Sequence, residues 1–153
     1  MVWRFIYGFR RRVFDAIVKI FFAVIVVLQN IRSFHNVGSI FRTADACLPD
    51  IEKIYLCGIT PSPVDRFGRE AKRFVKVSLG AEKTVPWEKN TSASRLIRQL
   101  SKNGFRILAI EQAKNSIPYF QFGRSLEFKV DFSKVVLVFG NELHGLSPST
   151  LKL

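Results

Sequence analysis

"FFAVIVVLQ", Phe21 to Gln29, runs nine residues without a charge and carries consecutive β-branched side chains at Val24, Ile25, Val26 and Val27. A strand with no polar face has no side to turn to water, so both its faces must be covered, as in a parallel sheet with helices above and below. "KVVLVFG" (134–140) repeats the pattern near the other end of the chain. "IEKIYLCGI" (51–59) and "FRILAI" (105–110) read as further strands, and "TSASRLIRQLSKNG" (91–104) reads as a helix, with Thr91 or Ser92 as cap and Leu96, Ile97 and Leu100 on one face. Strands alternating with helices predict an α/β fold, a mostly parallel sheet with helices on both faces.

The stretch "NIRSFHNVGSIFRTADA" (30–46) follows the first strand. Val37, Ile40, Phe41, Ala44, Cys47 and Leu48 recur at helical spacing, and Pro49 stops the run. This predicts a helix starting near Asn36, with Asn36 as its cap and Gly38 and Ser39 keeping the first turn small enough for a ligand to approach. Arg42 falls opposite the apolar stripe. Alone, the stretch reads as an ordinary capped helix with a solvated arginine.

The amino-terminal residues pose a membrane question. From Val13 to Leu28 only Asp15 and Lys19 interrupt the apolar residues, after a basic start, "RFIYGFRRR". The run is shorter than the roughly 20 residues a span needs, carries two charges, and is followed by no A-x-A-like cleavage site. A helix over about Trp3 to Lys19 accounts for more, since Arg4, Gly8, Arg11, Arg12, Asp15 and Lys19 then share one narrow polar face. Its apolar side would cover a partner subunit or lie on a membrane surface. Residues 1–20 are therefore read as an amphipathic extension ahead of a domain over 21–153, with no membrane span.

Charge narrows the partner. Twenty-four Lys and Arg against twelve Asp and Glu give a net charge of +12, an excess that points to a polyanion, nucleic acid before membrane. "TPSPVDRFGREAKRF" (60–74) gathers Arg66, Arg69, Lys72 and Arg73 in what reads as a long loop, and with Arg32 these are the candidate nucleic-acid contacts. Cys47 and Cys57 fit no zinc spacing and are read as reduced thiols in a cytoplasmic core; no metal is expected.

In a parallel sheet ligands bind beyond the carboxyl ends of the strands, where "QNIRSFHN", "EQAKNS" and "GNELHG" all fall. "VVLVFGNELHGLSPST" runs from a buried strand into Gly140, Asn141 and Glu142, then Gly145, then Ser147-Pro148, a cap with Pro at the first helical position. Tight glycine turns here expose main-chain N–H and C=O groups able to grip a flat polar ligand such as an adenine, with Glu142 anchoring the loop or an arginine. Neither G-x-G-x-x-G nor G-x-x-x-x-G-K-[ST] occurs.

Together these stretches resemble the SpoU class of RNA ribose 2′-O-methyltransferases, within the knotted SPOUT superfamily. "NIRSFHNVGSIFRTADA" is similar to that family's first motif and "LVFGNELHGLS" to its second, with "CGITPSP", "SLGAEKTVPWE" and "ILAIEQAKNSI" similar to the runs between them. The resemblance covers about Phe21 to Leu151. It implies methyl transfer from S-adenosylmethionine to a ribose 2′-hydroxyl of tRNA or rRNA by a homodimer whose active site crosses the subunit interface. It carries Arg42 over as the activating residue, with Asn36 and Glu142 shaping the same site, and assigns the cofactor to Gly140, Asn141, Glu142, Gly145 and Leu146. The family's third motif is not met before "SPSTLKL", so the resemblance implies a C-terminally truncated domain, a pocket short of one wall and a trefoil knot left incomplete. A catalytically inactive RNA-binding or assembly module of the same fold is the alternative.

Overall fold

The computed structural model describes residues 24–113, 116–118, 121 and 133–153. The expected amino-terminal helix, and residues 21–23 of the expected first strand, lie outside them. Five strands are present among the described residues: β1 (Val24–Gln29), β2 (Ile51–Cys57), β3 (Trp87–Asn90), β4 (Arg106–Ile110) and β5 (Val135–Phe139). They form one all-parallel sheet in the order β3-β2-β1-β5-β4. The uncharged β1 takes the centre, where the sheet requires a strand buried on both faces.

Alternation along β1 sends its side chains into two separate cores. Val26 and Leu28 join Ile54 and Leu56 under α1 (Phe34–Ala46), α2 (Lys72–Ser78) and α3 (Ala81–Thr84), where Phe41 and Phe74 meet edge to face at 5.1 Å. Ile25 and Val27 join Val136 and Val138 under α4 (Ala93–Lys102), whose Leu96, Ile97 and Leu100 face inward as the spacing predicts. A last short helix, α5 (Pro148–Leu151), begins at Pro148 after Ser147.

Helix α1 departs from the prediction at its start. Ser33, not Asn36, is the cap: its hydroxyl accepts from the N–H of Asn36, which lies in the first turn. The side-chain amide of Asn36 is thereby released for other work. Gly38 does not clear space for a ligand; it lets α2 close in, since a Cβ there would stand 2.9 Å from that of Val77. Cys47 caps the other end and is exposed, so only Cys57 belongs to the core, where burial pushes its thiol up to about 11 despite the opposing pull of Lys89.

The predicted loop over 60–74 is partly ordered, with an antiparallel pairing of Val64 and Glu70 and α2 starting at Lys72. Helices α2 and α3 and strand β3 were not expected. On the face that carries Val26 and Leu28, the β5–β4 side presents Val135, Leu137, Leu108 and Ile110 to a cleft of about 1200 Å³.

Candidate functional site

The carboxyl ends of β1, β2, β4 and β5 lie along one edge of the sheet, and their loops are stitched to one another. The buried Thr60 hydroxyl donates to the carbonyl of Leu28 or of Cys57 and accepts from the N–H of Ile31 at 3.1 Å, tying the loop after β2 to the loop after β1. The Asn141 side chain donates to the carbonyl of Asn30 at 2.8 Å, and the Gln29 side chain donates to the Ser147 hydroxyl at 3.0 Å. These bonds join the end of β1 to the loop after β5 across more than a hundred residues of sequence.

That loop is a closed turn. Asn141 and Gly145 exchange main-chain hydrogen bonds of 3.0 and 2.8 Å, and the Asn141 carbonyl oxygen of the side chain accepts from the N–H groups of Leu143 and His144. Gly140 is required by the crossing backbone, because a Cβ there would lie 2.3 Å from the carbonyl carbon of Gly145 and 2.4 Å from the nitrogen of Leu146. The N–H of Glu142 is held by its own carboxylate, that of Leu146 by Glu111, and that of Ser147 by Gln29. Every N–H from Asn141 to Ser147 is thus engaged, whereas the carbonyls of Glu142, Leu143 and His144 accept nothing among the described residues. The turn offers acceptors, which suit a ligand that brings donors.

Glu142 is the hub between this turn and helix α1. Its carboxylate accepts from the N–H groups of Arg32 and Ser33 and from the side-chain amide of Asn36, each at 3.1 Å. Partial burial pushes the carboxyl up, but the N–H of Arg32, its own N–H, that of Ser33 and the Asn36 amide outweigh this and hold it below the usual carboxylate range. It stays ionised as an anchor.

The structure therefore brings together Asn36, Gly140, Asn141, Glu142, Gly145 and Leu146, from two stretches of sequence some hundred residues apart. Asn141, Glu142 and Gly145 line the cleft, with Ile110, Ile117 and Leu143 as apolar walls. Arg42 is exposed and does not join them. It lies on the same helix six residues past Asn36, about 9 Å along the axis and roughly a third of a turn round, with no ion pair or hydrogen bond among the described residues. Arg32 contributes its main-chain N–H here while its residue is exposed; Arg66, Arg69, Lys72 and Arg73 are exposed on the segment after β2, and so is His35 on α1.

Glu111 was missed. It directly follows β4, and its carboxylate accepts from the buried N–H of Leu146 at 2.8 Å, fixing the far side of the turn. Thr60 and Gln29 were missed for the same reason, and Ser147, the expected helix cap, was not expected to bond Gln29: a polar residue at a strand end signals a loop, and only the pairing of strands shows which loop it serves.

The chain matches the SpoU rRNA Methylase family over residues 23–153. It is 30% identical over 131 residues to the tRNA (guanosine(18)-2′-O)-methyltransferase of Aquifex aeolicus, covering 85% of this chain and 54% of that protein. The crystal structure of the A. aeolicus TrmH/SpoU tRNA modifying enzyme superposes with a TM-score of 0.64 at 29% identity, over 85% of this chain and 58% of that one. AviRb of Streptomyces viridochromogenes, a SpoU methyltransferase crystallised with AdoMet, shares the fold with a TM-score of 0.60 at 21% identity, over 87% of this chain and 45% of its own. The chain spans about half the length of the curated relatives it matches.

Proposed function

The chain belongs to the SpoU rRNA methylase family, and on that premise we propose that it transfers a methyl group from S-adenosylmethionine to a ribose 2′-hydroxyl of tRNA or rRNA. One observation carries the reading: Glu142 ties the turn after β5 to Arg32, Ser33 and Asn36, so the two sequence motifs form one site. The choice of a ribose oxygen is supported by the name of the Aquifex aeolicus relative.

The residues present fit such a cofactor. Its adenine amino group and ribose hydroxyls are donors, and the carbonyls of Glu142, Leu143 and His144, which accept nothing among the described residues, are the acceptors the turn offers; Ile110, Ile117 and Leu143 supply apolar walls for a flat ring. When bound, S-adenosylmethionine supplies an electrophilic methyl on a sulfonium centre. The protein's own task is to place a weakly nucleophilic hydroxyl in line and to steady the charge beside it. Asn36 and Glu142 fix the loop from Asn30 to Ser33 that borders the reacting group. Arg42 holds the neighbouring phosphate with its planar fork, an electrostatic role, since a guanidinium is too basic to serve as a proton acceptor.

The displacement of Arg42 from its own chain's Asn36–Glu142 cluster supports a homodimer in which Arg42 of one copy serves the site of the other. The same reading places the protein in the cytoplasm with its RNA, with residues 1–20 as an extension and 21–153 as the methyltransferase domain, a division supported by the family match beginning at residue 23. The test is incubation with tRNA and rRNA and S-adenosylmethionine labelled in its methyl group, followed by alkaline hydrolysis. Label in alkali-resistant dinucleotides, lost in Arg42→Ala and not restored by Arg42→Lys, is the expected result. Label in mononucleotides would move the target to a base, and RNA binding without transfer would favour the non-catalytic module.

A further inference from the structure

Between Pro63 and Ala71 the chain folds back on itself in a small hairpin, closed by hydrogen bonds from Ala71 to Pro63 and from Asp65 to Arg69, both 2.8 Å. Asp65 locks its tip. One oxygen of its carboxylate accepts from the N–H groups of Phe67 and Arg69 at 2.8 and 3.0 Å, and the other pairs with the Arg69 guanidinium at 2.9 Å. At this tip stands Phe67, 66% exposed, with the guanidinium of Arg66 4.7 Å and that of Arg69 5.0 Å from the ring centroid. A single exposed apolar side chain usually needs no explanation. This one is held by a network spent on a loop tip, is flanked by two cations in a chain of net charge +12, and follows β2 on the sheet edge that carries the candidate site.

We propose that Phe67 is a stacking platform for an unpaired base of the RNA substrate, with Arg66 and Arg69 on the adjoining phosphates. The proposal rests on the RNA reading above and goes beyond it by naming the form of RNA and the face it uses. An aromatic ring stacks on any base because every base has a π face, but only a base outside a duplex exposes that face. Arg66 has no partner other than the ring among the described residues, so it yields the face to a base and turns to the phosphate. Arg69 stays with Asp65 and keeps the hairpin in shape. One phenyl ring offers too little apolar area to anchor a membrane surface, and the charge around it disfavours a protein partner that is not itself acidic.

The experiment measures binding of the whole chain to a short single-stranded oligoribonucleotide carrying a fluorescent adenine analogue that is quenched on stacking, and to a fully paired duplex of the same sequence. Phe67→Ala should weaken single-strand binding roughly five- to hundredfold and abolish the quenching, while Phe67→Trp keeps both. Because no charge is removed, the salt dependence of Phe67→Ala should keep the wild-type slope; Arg66→Ala should lower that slope by about 0.7. Duplex binding should not change in Phe67→Ala. Equal single-strand affinity and equal quenching in wild type and Phe67→Ala would overturn the stacking role alone. A wild-type chain that binds neither probe would overturn the RNA reading and this proposal with it.

Discussion

Replacing Glu142 by alanine removes the acceptor shared by Arg32, Ser33 and Asn36. A hydrogen bond to a charged group contributes about 1.5–3 kcal/mol where it is sheltered. Here Glu142, Arg32 and Asn36 are exposed, so water recovers most of each lost bond, and about 0.5–1 kcal/mol apiece is the discounted figure. Glu142→Ala should therefore lower the unfolding free energy by about 1.5–3 kcal/mol, and Asn36→Ala by about a third of that. The carboxyl is held below its ordinary value of 4.5, so its contribution is complete above that value and is lost as pH falls through the lower folded-state value. Urea unfolding of wild type and variant, repeated from about pH 7 downward, should show the gap between them closing in acid. A gap below about 0.3 kcal/mol at neutral pH, or one that does not change on acidification, would refute the view that this carboxylate holds the two motifs together.

Gly140→Ala should cost about 2–4 kcal/mol in the same unfolding assay, because its Cβ would press on the backbone of Gly145 and Leu146, which no rotamer can relieve; a cost near zero would show that the turn is free to open. Glu111→Ala leaves the buried N–H of Leu146 without its partner and should cost about 1–3 kcal/mol, with faster hydrogen exchange at that amide, while Glu111→Gln, which keeps an acceptor, should be milder.

Strands β1 and β5 were legible because continuous β-branched runs admit few other placements, and α4 because its apolar spacing is regular. The segment from Lys72 to Asn90 was not. Helix α3 and strand β3 are four residues each, and β3, "WEKN", is half-buried or exposed throughout, so no periodicity marks it. The cap of α1 was misplaced because Asn and Ser are both good caps, and the choice between Ser33 and Asn36 depends on Glu142, which is distant in sequence. The presence of Asn36 and Glu142 in one site was expected from the family resemblance; that they touch, and that Arg42 stands apart from them, came only from the fold. Glu111 and Thr60 are ordinary loop residues until the strand order makes their loops neighbours.

That strand order has a consequence for the birth of the protein. Strand β5 is inserted between β1 and β4, so β1 keeps one edge unpaired, and β4 has no strand beside it, until residues 135–139 have been made. At ordinary elongation speeds of about 5–20 residues per second, the roughly hundred residues between them leave the apolar central strand β1 with an open edge for roughly 5–20 s. Such an edge is a template for pairing with another nascent chain. The same insertion that gathers the turn after β5 beside the loop after β1 makes the site one of the last parts of the described fold to form, and makes early release from the ribosome a route to aggregation rather than to a partly formed site.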